Sequence, residues 1–213
     1  MNFKSAIILP LKESFSNKDF GAVSIWVDYY LKYSKISSDY IFCKKLPDKN
    51  KYLNKKVIPI SLKTKIYTNL QYIKKINEEI KKKKISIVEI HNRPEYAHYL
   101  IKNNPSLNIN LIFHNDPNSI RYSDTTSLKK FLLEKCNSVI FVSNWLKKRF
   151  FSDLNLKHKN NTKVIYNFIT QIKKFPKKEN IIIFSGKLNK SKGFEIFGNS
   201  IIDVLNKYPN WKA

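Results

Sequence analysis

Short apolar runs alternate with stretches of helical periodicity along almost the whole chain. The strand-like runs fall at residues 5–9, 40–43, 57–60, 85–90, 109–114, 138–142, 163–166 and 181–185. They are rich in β-branched residues and lack strict in–out alternation, the pattern of strands covered on both faces. Helical periodicity appears at residues 23–33, 67–82, 94–103, 126–135, 144–151 and 194–207. Asp124 or Thr125 precedes the fourth of these helices and Ser143 the fifth, both in N-cap position. Strands separated by helices are joined by right-handed crossovers into a mostly parallel sheet, so the expected class is a doubly wound, Rossmann-like α/β fold.

Residues 1–170 form the expected first domain. Residues 171–179, with Lys173, Lys174, Pro176, Lys177 and Lys178, show no periodicity and read as a linker. At Asn180 a new strand–helix unit begins, the expected start of a second Rossmann-like domain. One such unit cannot bury its own apolar faces. The chain therefore reads as part of a longer two-domain protein.

Composition adds little against this picture. The 213 residues are 42% hydrophobic and 14% aromatic, which excludes a disordered chain. The net charge of +24 raises the question of nucleic acid. The lysines are scattered, however, apart from Lys81–Lys84 at a helix end, where they suit the helix dipole. No helix-turn-helix, zinc or RNP-like pattern accompanies them, and no nucleic-acid partner is expected. Diffuse positive charge also suits an anionic membrane face. Cys43 and Cys136 lie in an apolar run and at a helix end, without metal-ligand spacing, and read as buried reduced thiols. No run approaches the roughly 18 apolar residues of a membrane span, and residues 6–11 are too soon interrupted for a signal segment.

Ligands in open α/β sheets bind beyond the C-terminal ends of the strands, so the residues there are the ones to read. After the first strand, Gly21-Ala-Val opens a helix, either as a simple turn or as a loop approaching a ligand. The fourth strand ends in His91-Asn92-Arg93-Pro94-Glu95, where Arg93 offers a planar fork to carboxylate or phosphate. The fifth ends in His114-Asn115-Asp116, with Arg121 close behind. His98 and His158 read as structural or surface residues.

The richest segment is Phe184-Ser-Gly186-Lys187-Leu-Asn-Lys-Ser-Lys192-Gly193, where an apolar run passes through a glycine turn into a helix. Free N–H groups at a helix start and nearby ammonium groups are how α/β proteins hold phosphate. This spacing resembles the Gly-Arg-Leu-x-x-x-Lys-Gly donor-diphosphate motif of GT-B glycosyltransferases, family GT4, with lysine for arginine. Four further elements resemble that family in order: Gly21-Ala-Val, the His114 strand end, Val142-Ser143, and Val164-Ile-Tyr-Asn167-Phe168, where the family carries glycine in place of Phe168.

The resemblance implies a retaining transferase that moves a sugar from a nucleotide-diphosphate sugar to a lipid-linked, lipopolysaccharide or polysaccharide acceptor, with no metal or other cofactor. It implies that His114 orients the donor sugar and that Gly186, Lys187, Lys192 and Gly193 hold the diphosphate. The acceptor side would comprise Gly21, His91, Arg93, Asn115, Asp116 and Arg121. Such enzymes work in the cytoplasm or peripherally at the inner face of the plasma membrane. The base-binding part of the family lies in the second domain, so the chain by itself is expected to bind donor poorly and to be inactive. The alternatives are a basic nucleic-acid-binding module and a non-catalytic carbohydrate-binding relative. No zinc-protease, hydrolase-elbow, Walker or dinucleotide motif competes.

Overall fold

The computed structural model describes residues 3–15, 21–34, 38–44, 57–61, 68–155, 159–169, 171, 174–186 and 188–213. Seven parallel strands, β1 (Lys4–Ile8), β2 (Tyr40–Lys44), β3 (Val57–Ile60), β4 (Ile85–His91), β5 (Asn108–Phe113), β6 (Ser138–Phe141) and β7 (Thr162–Val164), form one sheet. Their spatial order is β3-β2-β1-β4-β5-β6-β7. Strand order reverses between β1 and β4, the place where a doubly wound sheet opens a crevice. The expected α/β class is the observed one.

Side-chain alternation assigns the two faces. Ala6 and Ile8 of β1 join the larger core, with Val88 and Ile90 of β4 and Leu111 and Phe113 of β5. Helices α2 (Asn69–Lys83), α3 (Pro94–Asn103), α4 (Thr126–Lys135) and α5 (Asn144–Phe151) close that face through Ile73, Ile76, Leu100, Leu132 and Phe150. Ile7 and Leu9 point the other way, into a smaller core closed by Val23 and Val27 of α1 (Ala22–Tyr33). Phe113, Phe141 and Phe150 pack with centroids 5.3–5.6 Å apart. Each fully buried side chain of this size contributes about 1.5–3 kcal/mol.

Local chemistry sets the helix starts. Thr68 and Gln71 form a reciprocal capping box at α2. Of the two candidates before α4, Thr125 is the cap, and its hydroxyl accepts from Leu128 N at 3.4 Å. Ser143 caps α5, accepting from Leu146 N at 3.2 Å. Cys43 and Cys136 are buried free thiols, pushed up to about 11 and about 12 by burial.

Two compact units divide the chain, residues 1–169 and 170–213. The second contains α6 (Phe194–Lys207), preceded by a 3-10 turn at Lys190–Lys192. The strand expected at 181–185 is not formed: Ile181 makes a single parallel bridge to Lys212, with Ile182 N donating to Lys212 O at 2.8 Å. An apolar run becomes a strand only when a neighbour pairs along it, and the short 211–212 segment offers one bridge. α6 buries none of its residues, and Ile183 and Ile196 remain 77% and 74% exposed. In the first unit, β7 stops two residues earlier than expected, because its partner β6 ends at Phe141, opposite Val164.

Candidate functional site

β4 and β5 lie side by side in register, His91 opposite Ile112, so their polar tips emerge together. His91 Nδ1 lies 3.0 Å from His114 Nε2, and the rings stack with centroids 5.3 Å apart. His91 is completely buried, so it meets the site through His114 rather than directly. Trp26 of α1 covers both rings, 5.4 Å from His91 and 5.5 Å from His114. Burial, reinforced by the neighbouring His114, holds His91 well below the usual imidazole range. Burial alone lowers His114 to about 4. Both rings are therefore neutral near pH 7, and one N–H is shared between them.

Glu89 stands two residues before His91 on the same strand face, its Oε2 4.0 Å from His91 Nε2. Burial raises this carboxyl to about 7. His91 Nε2 is itself buried without a hydrogen-bond partner. Glu89, His91 and His114 thus form a line leading from beneath α1 to the strand tips.

Asn92 locks the two tips. Its backbone is left-handed, with φ 55°, and its N–H donates to Ile112 O at 2.7 Å. Its side-chain oxygen accepts from His114 N at 3.3 Å and Asn115 N at 3.1 Å. A side-chain oxygen that receives two backbone N–H groups holds the β5 exit in place.

Beside this lock lies an open cleft of about 440 Å³, lined among others by Arg93, Glu95, Asn115, Ser119 and Arg121. Pro94 starts α3 at its floor. Arg93 Nη1 donates to Asn92 O at 2.9 Å. Glu95 accepts from Asn69, whose own side-chain oxygen accepts from Tyr96 Oη at 2.9 Å. Among the described residues neither Arg93 nor Arg121 enters an ion pair. Asp116 does: Arg149 holds it at 3.0 Å, and its carboxylate accepts from Asn118 N at 3.1 Å. It thereby shapes the turn at Pro117–Ser119 that carries the chain toward Arg121.

Gly21 is the N-cap of α1, and a carboxylate lies across it. Glu13 accepts from Ser24 Oγ at 2.7 Å and from Ser24 N at 3.3 Å. The α1 N-terminus is thus already met by an anionic side chain from the loop after β1. Phe168 packs edge-on against Trp26 at 6.0 Å and against Tyr29 at 6.4 Å. A ring at this position closes the aromatic cover over the two histidines, and Asn167 beside it is exposed.

Of the second unit's expected phosphate residues, Lys187 lies outside the described residues, as does His158. Lys192 ends the 3-10 turn and is exposed. Gly193 joins that turn to α6 with φ 73°, a left-handed conformation that glycine adopts without cost. Gly186 is exposed, and a Cβ there would meet Phe184 at ordinary contact distance.

Trp26, Glu89 and Asn92 are site residues that spacing did not single out. A carboxylate inside the apolar run Ile-Val-Glu-Ile-His, two residues from a histidine, is the signal that would have found Glu89. Among the described residues no group of three or more His, Cys, Asp or Glu is arranged to hold a metal ion, and no helix is long and apolar enough to cross a membrane.

No family model and no curated protein sequence matches the chain. Among solved structures, the chain is similar to UDP-N-acetylglucosamine 2-epimerase from Rickettsia bellii at 10% identity and a TM-score of 0.45. The match covers 96% of this chain and 50% of that one, so the chain spans about half the length of that enzyme. The parallel α/β architecture stands on the strand pairing itself.

Proposed function

We propose that the chain is the acceptor-side domain, with the beginning of the donor-side domain, of a retaining glycosyltransferase that uses a nucleotide-diphosphate sugar. The observation that carries this reading is the pair of polar strand tips at the sheet's crevice, where a neutral His114 is backed by His91 and fixed by Asn92 beside an open cationic cleft.

In this reading His114 presents an uncharged ring nitrogen to a hydroxyl of the donor sugar. Its lowered proton affinity keeps it from competing as a cation for the diphosphate. Lys187 and Lys192 neutralise the diphosphate as it departs, while Gly186 and Gly193 allow close backbone approach. Arg93, Asn115 and Arg121 receive the acceptor in the cleft. Asp116 acts on that cleft through the turn it caps, and His91 acts through His114. Gly21 keeps the α1 start open to a ligand, provided Glu13 moves aside. No metal or organic cofactor is assigned a role. The acceptor is a lipid-linked, lipopolysaccharide or polysaccharide glycan, and the scattered lysines favour peripheral contact with the anionic inner face of the plasma membrane.

Sugar transfer by the native gene product, followed by mass spectrometry of glycan products, tests the reading. Lys192→Ala and His114→Ala should each lower turnover at least a hundredfold without loss of folding. Unchanged turnover in both would remove Lys192 and His114 from the reaction, and glycan binding without any transfer would leave a non-catalytic carbohydrate-binding relative as the better account. Steeply salt-dependent binding of DNA or RNA would favour the nucleic-acid alternative.

A further inference from the structure

Next to the acceptor cleft lies a second cavity, of about 480 Å³, between α2, α3 and the Arg121–Tyr122 turn. Both cavities are lined by Asn69, Glu95 and Arg121, so they are neighbouring compartments along one groove. Each falls within the roughly 300–1,000 Å³ of small-molecule sites.

The walls of the second compartment are of two kinds. Tyr99 and Tyr122 bring aromatic rings, which cover the apolar C–H faces of pyranose rings in the manner of other amphipathic surfaces. Lys102 and Arg121 bring positive charge, and among the described residues neither enters an ion pair. Arg121 lies 5.4 Å from the Tyr122 ring, so the fork and the flat face lie together. Tyr122 is held with φ 72°, a conformation unusual for a residue with a side chain, and it is this backbone that presents the ring.

His98 completes the wall. It is 6% exposed, fixed by stacking on Phe131 at 4.4 Å, and its Nε2 is buried with no hydrogen-bond partner. The one carboxylate on this lining, Glu95, accepts from Asn69 and is drawn to Arg121 without forming an ion pair with it.

We infer that this compartment binds a sugar unit bearing an anionic group, a uronic-acid carboxylate or a sugar phosphate, with the pyranose ring against Tyr99 and Tyr122 and the anion on Arg121 and Lys102. The inference rests on the glycosyltransferase reading for its place in the molecule: it makes the compartment the subsite for the acceptor unit adjoining the reacting one.

Calorimetric titration of the 213-residue chain with four probes tests it. The probes are a glucuronic-acid disaccharide, its methyl ester, a hexose 6-phosphate and inorganic phosphate. One of the two charged sugars should bind at least tenfold more tightly than the neutral ester, and the tighter of them identifies the anion. Arg121→Gln should remove that preference, and Tyr122→Leu should weaken charged and neutral sugars alike, each with an unchanged thermal transition. If neither charged sugar binds more tightly than the neutral ester, the inference is overturned. So does inorganic phosphate binding as tightly as the sugars, which would mean an adventitious ion only. Binding is read without turnover, so charged-sugar binding by a protein that transfers nothing would refute the transferase reading and spare the subsite. Transfer to neutral acceptors without charged-sugar binding would do the reverse.

Discussion

The carboxylate of Glu13 lies where a side chain on Gly21 would begin: a Cβ built there collides with it. The glycine leaves room for this contact, while its backbone, extended at φ −80° and ψ 171°, would accept any residue. Gly21→Ala must therefore push Glu13 off the α1 N-terminus and break its bonds to Ser24. Charge-assisted bonds of this kind contribute about 1.5–3 kcal/mol, less where partly wet. A loss of about 1 kcal/mol, seen as a melting temperature lower by about 2–4 °C, is expected. In Glu13→Ala the same Gly21→Ala change should cost almost nothing, and an undiminished cost would show that Glu13 is not the cause.

The buried histidines and Glu89 pull stability in opposite directions with pH. His91 and His114 have lowered proton affinity when folded, so the unfolded chain takes up protons first as pH drops below 6.5. Their contribution is complete above that value and is lost on acidification, through about 4 for His114. Glu89 is raised from 4.5 to about 7, so its contribution is complete below 4.5 and is lost as pH rises through 7. Between 4.5 and 6.5 the two oppose each other. Glu89→Gln should steepen the rise of stability with pH in that window and abolish the decline approaching 7. Urea unfolding at stepped pH measures both, and superimposable slopes for the two proteins would contradict the assignment.

Asn92 combines a left-handed backbone with two accepted backbone bonds. Asn92→Gly relieves the backbone and removes only the bonds, whereas Asn92→Ala adds backbone strain of about 1 kcal/mol. Both should be destabilised, alanine more than glycine. Both should broaden or shift the His114 imidazole signals in NMR spectra. An Asn92→Gly protein with unchanged stability and His114 signals would remove the lock from the account.

Lys129 is buried, with 1% exposure, and its ammonium is paired with Asp153 while lying 5.7 Å from the Phe150 ring centroid. Removing a partner from a buried pair costs about 3–5 kcal/mol. Asp153 is 39% exposed, so water replaces part of the loss. Asp153→Asn is expected to cost about 2 kcal/mol, and Lys129→Met with Asp153→Asn should recover most of it. A double variant as unstable as Asp153→Asn alone would place the cost elsewhere.

Much of the first unit was legible because parallel strands buried on both faces leave continuous apolar runs, and its helices α1 to α5 carry a face of matching period. That the strand expected at 181–185 does not form was not legible. Its residues have the right character, but pairing depends on a neighbour that no local pattern supplies, and only Ile181 finds one. The place of His114 at a strand tip was legible because a polar residue abruptly ending an apolar run stands out. Trp26 was not, since one aromatic on a helix face has the same sequence signature whether it fills a core or covers a site.

The sequence by itself determined the alternation of strands and helices, hence the parallel doubly wound sheet and the set of strand tips where chemistry concentrates. Periodicity and burial are local properties, and a few residues suffice to express them. Only the tertiary structure decided that His91 stands buried behind His114, that Asn92 ties the two tips, and that Glu13 rests on Gly21. Those contacts join residues 8 to 23 positions apart across neighbouring strands and loops, and their distances follow from sheet register and chain reversal, which no single segment encodes.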